Sequence, residues 1–131
     1  MIHEFTQPIY PFKLWVSVNP TFEEISERFY GIDVNMDKVV ISQDQCNPDR
    51  FVVARTLTVC DKKNGWIGCF VGIYRRGSLK TSNICHEAAH CADFVCEQFG
   101  IKSRTFDDGE AYAYLVGWIA ECINSVKNIK K

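Results

Sequence analysis

The sequence predicts an α+β fold, in which a mostly antiparallel N-terminal sheet with one short helix precedes two long helices. Three observations support this prediction. Runs rich in β-branched and aromatic residues occupy the first part of the chain, the pair Asn64-Gly65 separates two of them as a hairpin turn would, and apolar residues recur at helical spacing in the last third. Because strands come first and helices last, we expect the two long helices to cover one face of the sheet.

The first predicted strand covers residues 9–18, where Pro8 and Pro11 favour an edge position or a bent start. The residues before this strand are expected to form a mobile terminus. His3 lies in that terminus, far along the chain from the other histidines, and we assign it no role.

A short helix is expected over residues 20–29, because a proline and a threonine open it and Gly31 stops it. A short strand is then predicted over residues 39–42, and a polar loop over residues 43–49. This part of the chain contributes one helix and one strand to the expected sheet layer.

The strongest strand signals are residues 51–60 and residues 66–74, which are rich in β-formers. Asn64-Gly65 between them is typical of a tight hairpin turn, so the two runs should pair antiparallel.

The first long helix is predicted over residues 82–99, where apolar residues repeat at helical spacing. One of Thr81, Ser82 and Asn83 should cap its start, and Gly100 should end it.

The second long helix should return antiparallel after a short loop at residues 100–106. Asp107 or Asp108 can cap its start. Its apolar face is formed by Leu115, Val116, Ile119, Ile123 and Val126.

The first long helix contains His86-Glu87-Ala88-Ala89-His90, which matches the pattern H-E-x-x-H. Positions four apart share one face of a helix, so His86 and His90 can hold a single metal ion. Glu87 lies beside them and can act as general base toward a water that the metal activates. The other interpretation is that both histidines simply lie on the exposed face of an amphipathic helix.

A third candidate ligand is Glu110, 20 residues after His90, in the first turn of the second long helix. An antiparallel return of the chain would bring it opposite the two histidines. Two histidines, one glutamate and an open fourth position are typical of catalytic zinc, so the sequence predicts one Zn²⁺ per chain.

These residues and their spacing resemble the gluzincin group of metallopeptidases, to which thermolysin belongs. The resemblance covers residues 79–121. Within the group, the chain is more similar to minimal gluzincins and to small zincin-like proteins of phages and mobile elements. It implies a zincin-like domain that hydrolyses peptide bonds. It also implies that His86, His90 and Glu110 bind zinc and that Glu87 is the base. In zincins an exposed edge strand beside the active-site helix holds the extended substrate through main-chain hydrogen bonds, so the resemblance points to a strand before residue 79. Residues 66–74 are the candidate, because they are the nearest strand in the sequence. Thermolysin-like enzymes carry an aspartate four residues after the third ligand, where this chain has Tyr114.

A rival set of ligands would resemble metzincins, whose third ligand falls at the position of Cys96 and whose glycine turn falls at Asp93. Without a turn the helix continues through Asp93, so Cys96 is not expected to reach the metal. Asp93 itself could accept a hydrogen bond from the His90 imidazole or could be an ordinary solvated carboxylate.

Tyr114 is the candidate for stabilising an oxyanion, because it lies one turn after Glu110 on the same helix face. Tyr112 lies almost opposite on the helical wheel. Aromatic packing in a small core is the alternative role for either tyrosine.

Composition limits the remaining possibilities. The 131 residues are expected to form one domain, residues 1–131, and the net charge of −1 argues against binding nucleic acid by electrostatics. No apolar run is long enough to span a membrane, so no membrane partner is expected. Seven cysteines without a C-x-x-C pair, and no recognisable signal peptide, favour free thiols in the cytoplasm.

The sequence therefore predicts a cytoplasmic zinc peptidase that acts on a peptide or protein substrate. The alternative is a catalytically inactive zincin-like protein that binds metal and acts through a partner. A further possibility is a small α+β domain in which the motif is accidental. The oligomeric state does not follow from the sequence.

Overall fold

The computed structural model describes residues 1–46, 51–101 and 109–129. In these ranges it shows a six-stranded sheet with two long helices on one face and two short helices on the other. The strands are β1 (Ile2–Thr6), β2 (Lys13–Val18), β3 (Phe29–Ile32), β4 (Lys38–Val39), β5 (Ala54–Asp61) and β6 (Ile67–Ile73). The helices are α1 (Phe22–Arg28), α2 (Gln43–Cys46), α3 (Thr81–Phe99) and α4 (Glu110–Lys127).

The strand order in the sheet is β1-β2-β6-β5-β3-β4. All neighbours are antiparallel except β2 and β6, which are parallel. The predicted α+β class with a mostly antiparallel sheet is therefore confirmed. The predicted hairpin between β5 and β6 is also present, and Gly65 takes a φ of 77°, which glycine adopts without strain.

Each face of the sheet has its own apolar core. Alternate residues of β2 and β6 point to opposite faces, so Leu14 and Val16 pack under the long helices while Trp15 packs on the other side. Trp15 joins Phe29 and Phe70 in a cluster of aromatic rings, with centroids 4.8 and 5.7 Å apart. Both long helices lie on one face, as predicted, because their apolar stripes share that first core.

Helices α3 and α4 run antiparallel. The start of α3 meets the end of α4, where Lys127 Nζ donates a hydrogen bond to the Leu79 carbonyl. At the opposite end, the Tyr10 ring stacks on Phe99 with centroids 6.1 Å apart, and Gln7 Nε2 donates to the Tyr114 hydroxyl at 3.1 Å. The turn between β1 and β2 thus holds the end of α3 and the start of α4.

The terminus that was expected to be mobile is instead strand β1, so that prediction was wrong. A terminal segment is ordered when it is tied into a sheet, and Glu4 in β1 accepts hydrogen bonds from Lys13, Trp15 and Arg28. His3 lies in this edge strand, opposite Val16.

The strand predicted over residues 9–18 begins only at Lys13. It is central, between β1 and β6, and not at an edge. Pro8 and Pro11 lie in the turn between β1 and β2, where no ladder hydrogen bond needs their nitrogen.

The short helix over residues 20–29 is confirmed as α1, and a capping box between Thr21 and Glu24 starts it. It ends one residue early, because Phe29 already begins β3, a strand that the sequence did not indicate. In the predicted loop over residues 43–49, the first four residues form α2, and residues 47–49 lie outside the described ranges.

The long helices begin and end close to their predicted bounds. Asn83 Oδ1 accepts a hydrogen bond from the Lys80 amide at the start of α3, and Gly100 ends the helix with a φ of 67°. Asp107 and Asp108, the predicted caps of α4, lie outside the described residues, as do residues 102–106 of the predicted loop. Of the described helices, none combines the length and the apolar character needed to cross a membrane.

Candidate active site

His86 and His90 project from the same face of α3, one turn apart, as the motif predicts. Both residues are exposed, and their Nε2 atoms lie 3.1 Å apart. The apolar stripe of α3 points to the sheet and to α4, which leaves the histidine face open. The helix therefore places two imidazole nitrogens close together.

This separation suits a shared metal ion. Zinc binds histidine nitrogens at about 2.0–2.1 Å, so two nitrogens at a tetrahedral angle are about 3.3 Å apart. The observed 3.1 Å is close to that value. A hydrogen bond from one neutral imidazole to the other has a similar length, so the distance fits both arrangements.

Glu87 lies below the histidine pair and is buried, with 8% of its surface exposed. Its Oε1 atom accepts a hydrogen bond from the Thr56 hydroxyl of β5 at 2.9 Å. Its Oε2 atom lies 3.9 Å from His86 Nε2. The carboxylate therefore has one oxygen held by the sheet and one oxygen next to an imidazole.

Thr56 could not be recognised from the sequence, because its contact with Glu87 joins two elements that are far apart in the chain. The β-rich run was recognised, and its alternation places every second side chain on the face that α3 covers. The missing information was the position of α3 over β5, which depends on tertiary packing.

The three motif side chains line a cleft of about 640 Å³ between α3 and the β5–β3 side of the sheet. That volume lies within the range of small-ligand sites, about 300–1,000 Å³. The rest of the lining is mixed. Its larger apolar residues are Ile32, Val39, Ile41, Val52 and Leu57, and its charged or polar residues include Asp33, Gln45 and Arg55.

One wall of the cleft is an open strand edge. Strand β5 pairs with β3 only through residues 59–61, whereas residues 54–58 pair with β6 on one side only. No strand of the described ranges pairs with the other side of residues 54–58. Their main-chain groups therefore border the cleft beside the histidine pair.

The prediction that residues 66–74 supply this edge was wrong. Strand β6 lies inside the sheet and pairs with β2 on one side and β5 on the other. Closeness to α3 in the chain favoured β6, but the order of strands in the sheet leaves β5 partly uncovered instead.

Glu110 is not brought to the histidine pair. It is the exposed first residue of α4, and α3 continues nine residues beyond His90, or about 14 Å at a rise of ~1.5 Å per residue. Because α4 returns antiparallel, it begins beside the far end of α3. Within residues 1–46, 51–101 and 109–129, no group of three histidine, cysteine, aspartate or glutamate side chains could hold a metal ion.

Tyr114 also lies away from the cleft. Its hydroxyl accepts the hydrogen bond from Gln7, a residue with 4% of its surface exposed, and the ring belongs to the contact between α4 and the β1–β2 turn. Tyr114 is absent from the residues that line the cleft with His86 and His90.

Cys96 is buried against the first core, and burial raises the pKa of its thiol, with a further contribution from the charge of Asp93. A raised pKa disfavours the thiolate form that binds zinc. Asp93 lines a second groove beside the cleft. All seven cysteines are free thiols, and Cys85 alone among them is exposed.

Comparisons with known proteins found no similar protein. No family model, no curated protein and no solved structure matches this chain. The gluzincin resemblance therefore rests on the motif and its spacing alone, and the function has to be inferred from the chemistry of the cleft.

Proposed function

We propose that this protein is a zinc-dependent peptidase in which His86 and His90 bind one zinc ion and Glu87 is the general base. The main support is that one helix presents two imidazole nitrogens 3.1 Å apart, beside a buried and hydrogen-bonded carboxylate. This combination supplies two metal ligands and the base for hydrolysis by a metal-activated water.

A zinc ion held by His86 and His90 would polarise the scissile carbonyl and would lower the pKa of a bound water. Glu87 would take a proton from that water with Oε2, the oxygen that faces His86, and would then give the proton to the leaving amine.

The substrate in this proposal is a peptide or an unfolded protein segment in an extended conformation. Residues 54–58 of β5 offer main-chain groups at the cleft, and an extended chain can add to such an edge as another strand. Apolar substrate side chains would contact Leu57 and Ile41, which line the same cleft.

The proposal keeps Glu110 as the third zinc ligand, on the strength of the resemblance to gluzincins. It requires the first turn of α4 to approach His86 and His90 when the metal binds. Tyr114 then remains the proposed oxyanion donor, because it follows Glu110 by one turn on the same helix.

We further propose that the protein works in the cytoplasm. Seven free cysteines, six of them buried, are typical of a reducing compartment. The net charge of −1 gives no electrostatic reason for a nucleic-acid partner.

A second candidate function is a metal-binding protein of the same fold that lacks catalysis and acts through a partner. It is favoured by the finding that the described residues gather only two of the three expected ligands. The β3–β4 hairpin beside the cleft also exposes apolar side chains, with Val34 97% and Met36 44% exposed.

Glu87→Gln separates these two functions. We expect the wild type and the variant each to bind about one zinc per chain in an equilibrium titration. Cleavage of a peptide library, followed by mass spectrometry, should fall by about 10²–10⁴-fold in the variant. Glu121→Gln, an exposed position on α4, is the matched control and should cleave like the wild type.

Three results would count against the peptidase. If Glu87→Gln loses zinc, Glu87 contributes to metal binding, which contradicts its assignment as a base that does not bind the metal. Zinc binding without any cleavage by the wild type would favour the non-catalytic function. No zinc binding by the wild type would exclude both functions.

A further inference from the structure

We propose that Thr56 is a positioning residue, which holds Oε1 of Glu87 so that Oε2 is the oxygen that faces the histidine pair. This inference rests on the proposed function, because it assigns the orientation of the proposed base. It names a side chain outside the H-E-x-x-H motif, on a different element, as part of the same site.

The contact is well defined at both ends. Thr56 Oγ1 lies 2.9 Å from Glu87 Oε1 and 3.4 Å from the Glu87 carbonyl oxygen, so its single proton is donated to the nearer carboxylate. Thr56 pairs with Val71 in the middle of the β5–β6 ladder, which fixes its backbone. A β-branched side chain is also stiff about χ1, so the hydroxyl has little freedom to turn away.

The hydrogen bond makes the two carboxylate oxygens inequivalent. Oε1 accepts the hydrogen bond from Thr56 of the sheet, whereas Oε2 lies 3.9 Å from His86 Nε2. Without the hydroxyl, the flexible glutamate side chain would sample other orientations, and misorientation of a reacting group lowers the rate of the chemical step. Because the Thr56 hydroxyl bonds to Glu87, which is not a proposed zinc ligand, zinc affinity should not depend on that hydroxyl.

Thr56→Val and Thr56→Ser form the first test. Valine keeps the shape and the β-branch but loses the hydroxyl, whereas serine keeps the hydroxyl. We expect Thr56→Val to lower kcat on a cleaved peptide by about 10–100-fold, with KM and zinc affinity within about twofold of the wild type. Thr56→Ser should recover most of the lost kcat, which a purely structural role of the methyl group would not explain.

A second measurement does not depend on turnover. In metal-free protein labelled with ¹³C at glutamate carboxyl carbons, the Glu87 resonance is assigned by its loss in Glu87→Gln. We expect Thr56→Val to move this resonance at neutral pH and Thr56→Ser to leave it near the wild-type position. Thr58→Val is the control for this spectrum, because the Thr58 hydroxyl donates to the Ile32 carbonyl and not to Glu87.

An unmoved Glu87 resonance in Thr56→Val would overturn the inference, whether or not the protein cleaves peptides. A moved resonance with unchanged kcat in an active enzyme would also overturn it. If the wild type cleaves nothing, the proposed function fails, and the resonance alone decides whether Thr56 holds the carboxylate.

Discussion

Gly68 faces the backbone of Lys13 across the parallel pair of β2 and β6. A Cβ atom built on Gly68 would lie 1.8 Å from the Lys13 carbonyl oxygen and 2.8 Å from its carbon. The contact is with backbone that both strands hold in place, so it cannot be relieved by rotating a side chain. Glycine at this position therefore permits the pairing on which the centre of the sheet depends.

Gly68→Ala should destabilise the protein by about 3 kcal/mol, the upper part of the range for overpacking a core. Urea unfolding monitored by tryptophan fluorescence would measure this change. Gly77→Ala is the control, because nothing lies within 4 Å of a Cβ at that position. Equal stabilities of the two variants would show that β2 and β6 are not packed as described.

At the scale of elements, the length of α3 governs the candidate site. The helix continues to Phe99, and its last turns keep the start of α4 away from His90. The spacing between His90 and Glu110 suggests a third ligand, but an antiparallel return that starts only after Gly100 places Glu110 beside the end of α3 and not beside His90. A helix that ended two turns earlier would have let α4 return beside the histidines.

Glu110→Ala tests whether metal binding brings the first turn of α4 close to His86 and His90. If Glu110 completes the site, its loss should weaken zinc binding by at least about tenfold, as loss of supporting groups around metal sites commonly does. Competition with a chelator of known zinc affinity would measure the change. Glu121→Ala, exposed on the same helix, should bind zinc like the wild type. Equal affinities for both variants would leave a site with two histidines and favour the non-catalytic function.

At the scale of the whole molecule, Glu4 joins the N-terminal edge strand to the rest of the fold. Hydrogen bonds from Trp15 and Lys13, and the charges of Lys13 and Arg28, lower the pKa of the Glu4 carboxyl. The Trp15 donor lies at 2.8 Å and the Arg28 guanidinium at 2.7 Å. A single carboxylate thus links β1, β2 and α1.

The lowered pKa of Glu4 predicts a loss of stability in acid. Because the carboxyl has a lower pKa in the folded state than in the unfolded state, its ionised form stabilises the fold at any pH above the unfolded-state pKa, near 4.5. This stabilisation is lost as the pH falls through the folded-state pKa. The melting temperature of Glu4→Gln should therefore lie below that of the wild type at pH 7, and the difference should shrink between pH 5 and pH 3. Glu23→Gln, at an exposed position of α1, should follow the wild type. A constant difference for Glu4→Gln across this range would contradict the prediction.

Much of the fold could be predicted from the sequence. The helical spacing of apolar residues and the turn pair Asn64-Gly65 indicated α3, α4 and the β5–β6 hairpin, because these signals are local. Strands β1 and β3 could not be recognised, because each is short and is stabilised by partners elsewhere in the chain. Glu4 reaches Arg28 across two elements, and Gly31 pairs with Val59, so neither contact has a local pattern.

The sequence by itself determined that His86 and His90 share one face of a helix with Glu87 beside them, because helical periodicity fixes the relation of positions four apart. It also determined the α+β class, through the order of its strand and helix patterns. Tertiary structure decided that Thr56 holds Glu87 and that residues 54–58 border the cleft. These relations depend on strand order and on the position of α3 over β5, which are set by packing between distant parts of the chain.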